Sequence, residues 1–122
     1  MELILFACLL IVSTATLANP PAKDCGRFAP TDVVSVSMTI AEVEHQEMAT
    51  LPQNLKIRPD YPRAPFGFMN AEWKVFKSEA RPGDKVVRYS TDKHSWQHLA
   101  GEAGVALIRS GCLIRTFPTM RN

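Results

Sequence analysis

The chain has 122 residues, 46% of them hydrophobic and 21% charged, with a formal net charge of +2. That length suits one small domain, in which a single core covers about two-thirds of the surface the unfolded chain exposes. The mild positive balance is spread along the sequence, which excludes a nucleic-acid footprint, and no segment beyond residue 18 is apolar enough to cross a membrane.

The first stretch reads MELILFACLLIVSTATLANPPAK. Leu3 to Val12 is almost continuously apolar, and small residues lead to Thr16-Leu17-Ala18. This is the pattern of a secretory signal peptide over residues 1–18, cleaved after Ala18. The apolar run is short of the roughly 20 residues that span a bilayer. Glu2 stands where a signal usually carries Lys or Arg, so an uncleaved membrane anchor is the alternative, and the only route to a membrane. A lipoprotein reading of Leu5 to Cys8 fails, because no hydrophobic region precedes it. Cleavage leaves residues 19–122 with all 14 Lys and Arg but only 11 of the 12 acids, a net charge of +3. The expected location is the periplasm or the medium.

Cys8 leaves with the signal, and Cys25 and Cys112 stay. In an oxidising compartment two cysteines most simply form one disulfide. It closes a loop of about 88 residues, worth about 4 to 5 kcal/mol in the chain-entropy description. The other reading keeps two unpaired, partly buried thiols. A catalytic role for Cys112 has no support, since no Cys-x-x-Cys or nucleophile signature surrounds it.

Residues 19–30 (NPPAKDCGRFAP) form an extended lead-in tied down at Cys25. In VVSVSMTI, Val34, Val36, Met38 and Ile40 alternate with Ser and Thr, which predicts a half-buried strand. Glu42 to Glu47, including His45, reads equally as strand edge or helical turn. Residues 51–68 hold Pro52, Pro59, Pro62 and Pro65. Proline removes backbone donors and restricts its predecessor, so a long ordered loop is expected there, anchored by Leu55, Ile57, Tyr61 and Phe66. A loop of that length is a place to look for a partner surface.

Asn70 is placed to cap a helix over residues 71–81, with Trp73, Phe76 and Ala80 on one face and Pro82-Gly83 ending it. DKVVRYS (84–90) predicts a strand with Val87 and Tyr89 on one side. The runs GVALIR (104–109) and CLIRTFP (112–118) flank Ser110-Gly111, a hairpin signal. Val105 and Leu107 share a face of the first strand; Leu113, Arg115 and Phe117 share a face of the second. About four strands and one main helix predict an α+β fold, a small antiparallel sheet with the helix packed on one face.

His94, His98 and Glu102 recur four apart. If residues 93–101 were helical they would lie on one side, a donor set suited to zinc or copper. Asp92, His94 and Ser95 fail as a hydrolytic triad, because adjacent residues do not converge as nucleophile, base and orienter. A structural reading of the same stretch has Ser95 capping a short helix, Trp96 and Leu99 plugging the core, Gly101 ending the helix and Gly104 admitting the hairpin closely. Arg109, Arg115 and Arg121 offer a cationic surface beside the hairpin for carboxylates or phosphates, although charges on an outer sheet face are ordinary. Tyr61 and Phe66 complete the candidate binding surface with Arg109 and Arg115.

The order Trp73 and Phe76, Pro82-Gly83-Asp84, Ser95-Trp96, Leu99-Ala100-Gly101, Gly104 and Ala106-Leu107-Ile108-Arg109 resembles a pattern found in small bacterial proteins that carry no assigned activity. The resemblance covers about the last 50 residues and implies no catalytic residue or cofactor; Cys112 is not part of it. The expectation is a small exported bacterial protein that acts without catalysis, binding a protein or envelope partner and needing no cofactor. The alternative is a small metal-binding protein or enzyme centred on His94, His98 and Glu102, with His45 brought in by folding.

Overall fold

The computed structural model describes residues 25–122. The export signal expected over residues 1–18 and the first part of the lead-in lie outside the described residues. Four antiparallel strands stand in the order β1-β2-β3-β4: β1 is Val33–Val34, β2 Lys85–Ser90, β3 Glu102–Arg109 and β4 Cys112–Arg121. The helices are α1 (Ile40–Ala49), α2 (Leu51–Ile57), α3 (Asn70–Ser78) and α4 (Lys93–Gln97), with a short 3-10 turn at Gly67–Met69. The sheet is open, and the α+β class holds. Among the described residues no helix is long and apolar enough to cross a membrane.

One face of the sheet carries Val86, Val105, Leu107 and Phe117, and against it pack Val43 of α1, Phe66, and Trp73 and Phe76 of α3. Burial of each such side chain stabilises the fold by about 1.5 to 3 kcal/mol. The Phe117 ring lies 4.9 Å from Phe66 and 5.5 Å from Trp73, so the aromatic centre ties α3 to β4. The helix on this face is α3, and α1 packs beside it. Glu44 of α1 joins the two by accepting from the Trp73 indole at 3.3 Å and from Lys77 at 3.2 Å.

The strand expected over Val34 to Ile40 is mostly absent. β1 pairs Val34 with Tyr89, and the next bridge pairs Met38 with Val86, four steps along one chain against three along the other. Ser35 occupies the gap: its hydroxyl accepts the Arg88 N–H at 2.9 Å, while Val36 is 82% exposed. Thr39 then caps α1 by accepting the Glu42 N–H at 3.1 Å, which resolves residues 42–47 as helix. The proline-rich loop over 51–68 is also corrected. Pro52 lies in the first turn of α2, where no intrahelical donor is lost. Of its expected anchors Phe66 is buried and Leu55 and Tyr61 are half-buried, but Ile57 is 81% exposed.

The helix around Trp73 and the strand before the hairpin form close to their expected bounds. Asn70 does not cap α3 through its side chain; that amide donates to the Pro65 carbonyl at 2.9 Å. Ser110 and Gly111 turn the hairpin with φ of 51° and 76°, the positive pair of a type I′ turn. Beyond it the register shifts: Leu107 pairs with Arg115, but Ile108 pairs with Leu113, leaving Ile114 as an extra residue. This bulge puts Leu113 on the face opposite Arg115 and Phe117, so the three do not share one side.

Val87, Tyr89 and Ala106 form the core of that opposite face, with Phe28, Ile108 and Leu113 against them. Cys25 and Cys112 form a disulfide with Cα atoms 5.3 Å apart. Beside it Leu113 donates its N–H to Gly26 at 2.8 Å. From Cys25 the described part of the lead-in leaves the β4 edge, lays Phe28 5.3 Å from Tyr89 and reaches β1 at the other edge. It is a strap across the face the helices leave open.

Candidate functional site

The stretch from Thr91 to Glu102 joins β2 to β3 through α4. Asp92, not Ser95, caps the helix by accepting the Ser95 N–H at 2.7 Å, and it also accepts the Thr31 hydroxyl at 2.9 Å. Those two bonds, the Ser95 N–H first, hold its carboxyl below the usual range. Trp96 donates its indole N–H to Ser90 at 3.1 Å and lies flat on Gly101, where a Cβ would run into the indole. At Gly104 the Phe117 carbonyl and the Pro118 backbone occupy the same place. Leu99 does not plug the core: it ends α4 at φ 58° and is 78% exposed. The Asn122 side chain closes the unit, accepting the Gly101 N–H at 2.7 Å and donating to the Trp96 carbonyl at 2.6 Å.

His94 and His98 are brought together, their rings 4.0 Å apart and both exposed. The His98 Nδ1 lies 2.8 Å from the His94 carbonyl oxygen, so that nitrogen carries the proton. Glu102 does not join them, because α4 ends at Gln97 and Glu102 begins β3. Its carboxylate accepts the Tyr89 hydroxyl at 2.7 Å and Arg121 at 2.9 Å. Burial, and then that bond to Glu102, push the Tyr89 hydroxyl above its usual value. His45 sits on α1. Among the described residues no group of three or more His, Cys, Asp or Glu side chains is gathered to hold a metal.

The three hairpin arginines are separated by their partners. Arg121 pairs with Glu102, Arg115 with Glu79, and Arg109 with Asp84. Arg109 is the most firmly held. Its Nε and Nη2 each donate at 2.9 Å to the two oxygens of Asp84, and Nη2 also reaches the Glu79 carbonyl at 3.3 Å. Asp84 further accepts the Arg81 N–H at 2.8 Å, and its side chain is 3% exposed. The Arg109 bond first, and then that backbone N–H, lower the Asp84 carboxyl to about 2.

Ser78, Glu79, Ala80, Arg81, Arg109 and Ile114 line a cleft of about 390 Å³ between the end of α3 and the hairpin. Tyr61 and Phe66 take no part in it. Phe66 lies in the core, and Tyr61 packs edge-on to Phe68, whose ring Arg58 covers at 4.6 Å. The structure does not bring Arg109, Arg115, Tyr61 and Phe66 onto one surface: Arg109 lines the cleft, Arg115 pairs with Glu79 beside it, and the aromatics belong to the packing of the 58–69 segment. Arg81, Glu79 and Ile114 were not singled out in the sequence. The signal for the first two was Pro82-Gly83-Asp84, a turn whose Asp bonds back to the backbone; for Ile114 there was none. Comparison with family models, curated proteins and solved structures finds no match for this chain.

Proposed function

We propose that the chain is a small exported binding module, periplasmic or secreted, that works without catalysis on a protein or envelope partner. The observation that carries this reading is the Cys25–Cys112 disulfide, which fastens the strap to the sheet. Such a bond persists in oxidising compartments and is rare in reducing ones. The short apolar N-terminal run supports the same compartment. Binding is favoured over turnover because the ionisable groups serve as structure: Asp84 and Asp92 hold turns, Glu102 holds Tyr89 and Arg121, and His98 holds the end of α4. A catalytic acid or base needs a free, converging position beside a substrate.

The test is made on material recovered from its own cells. Terminal sequencing and intact mass after alkylation are expected to give a chain beginning at Asn19 with no alkylated thiol, outside the cytoplasm. A chain beginning at Met1 in the cytosol, with alkylated Cys25 and Cys112, would overturn the reading. Cross-linking of the exported form in place then identifies what it holds.

A further inference from the structure

The cleft between α3 and the hairpin has three properties of a ligand site. The first is a pre-set donor. Two edges of the Arg109 guanidinium are committed to Asp84 and the Glu79 carbonyl, so the group is immobilised. A guanidinium has five N–H donors, and among the described residues the Nη1 pair finds no acceptor. Donors fixed before binding lose little entropy when an acceptor arrives.

The second is an unbalanced charge. Of the charged residues that line the cleft, Arg81 and Arg109 stand against Glu79, two cations to one anion, and the outside partners Asp84 of Arg109 and Arg115 of Glu79 offset each other. Arg115 and Arg109 are in ion pairs; Arg81 has no ion-pair partner among the described residues, although it lines the cleft. The excess is one unit, which a monoanion neutralises. The third is an apolar wall. Ile114, the extra residue of the β4 bulge, is 43% exposed, and it and Ala80 border the same space.

We infer that this cleft binds a small monocarboxylate with a short aliphatic tail, its carboxylate shared by Arg109 Nη1 and Arg81 and its tail against Ile114 and Ala80. This rests on the binding-module reading and names the ligand class for it. A carboxylate fits better than phosphate, because a dianion exceeds the available charge beside Glu79.

The test is a titration of the oxidised, isotopically labelled chain followed by two-dimensional NMR at low ionic strength, where exposed charges are least screened. The probes are butyrate, acetate, butyramide and inorganic phosphate. Butyrate is expected to shift the amides of Glu79 to Arg81, Arg109 and Ile114 saturably; acetate binds more weakly and butyramide does not bind. Arg81→Gln, at an exposed position, is expected to weaken butyrate about tenfold, the loss of one charge-assisted hydrogen bond, with an unchanged amide spectrum elsewhere. Ile114→Ser is expected to remove the preference for butyrate over acetate. Shifts that fail to saturate, equal shifts with butyramide, tighter binding of phosphate, or no effect of Arg81→Gln would each overturn the assignment. A failure here leaves the export and disulfide tests untouched, so loss of the ligand and loss of the broader reading are told apart.

Discussion

Replacing Cys25 and Cys112 together by serine tests whether the strap is held by the bridge or by its own contacts. The two cysteines are 87 positions apart, and releasing a loop of that size from the unfolded ensemble costs the fold about 4 to 5 kcal/mol. Domains of this size have about 5 to 15 kcal/mol in total, so the variant loses from about a third of its stability to nearly all of it. The released lead-in retains one backbone pairing, Leu113 with Gly26, the exposed Thr31–Asp92 hydrogen bond, and the contact of Phe28 with Tyr89. That contact is worth about 1 to 2 kcal/mol, too little to order eight residues at about 1 kcal/mol or more each. The strap therefore frays first. Urea unfolding followed by tryptophan fluorescence gives the global loss, and hydrogen exchange at the Leu113 amide gives the local one. The m-value is expected to rise, because the unfolded chain opens further without the link. A loss under about 1 kcal/mol, or a Leu113 amide as protected as in the bridged chain, would refute the reasoning.

Gly101→Ala drives a Cβ into the Trp96 indole; overpacking of this kind costs about 1 to 3 kcal/mol, and thermal melting together with a shifted tryptophan emission checks it. Asp84 has a carboxyl at about 2 in the fold, below its ordinary 3.8. The stabilisation that follows is complete above the ordinary value and is lost as the pH falls through the folded one. Asp84→Asn is accordingly expected to flatten the acid limb between about pH 4 and about pH 2 in urea midpoints measured along a pH series; an unchanged limb would assign acid unfolding to other carboxylates. Zinc or copper is expected to leave the melting temperature unchanged, since His94 and His98 alone are an incomplete ligand set; a saturable rise that His94→Ala and His98→Ala remove would reinstate a metal role.

The parts of the fold that were legible in the sequence are those where hydrophobic period and burial coincide. Val87 and Tyr89, Val105 and Leu107, and Trp73 and Phe76 each repeat with the period of the element they occupy and face a packed layer. The failures share one cause, a backbone bond that replaces the regular ladder without altering the apolar pattern. Val34 to Ile40 alternates as a strand does, but Ser35 takes the Arg88 N–H on its side chain and Thr39 turns its oxygen to Glu42. Thr39 and Glu42 stand at the spacing of a capping box, a signal the strand reading leaves unused. Pro52 reads as a breaker unless the helix starts one residue before it. The Ile114 bulge has no mark in composition, because an extra residue in a strand changes faces rather than residue types. The candidate site follows from these unseen steps. Arg109 was legible as a cation beside a hairpin, but its partner Asp84 lies 25 positions away, with β2, α4 and β3 between them. That partnership fixes Arg109 in the cleft wall: the buried carboxylate holds Nε and Nη2, the Glu79 carbonyl holds Nη2 as well, and the same cleft is lined by Ile114.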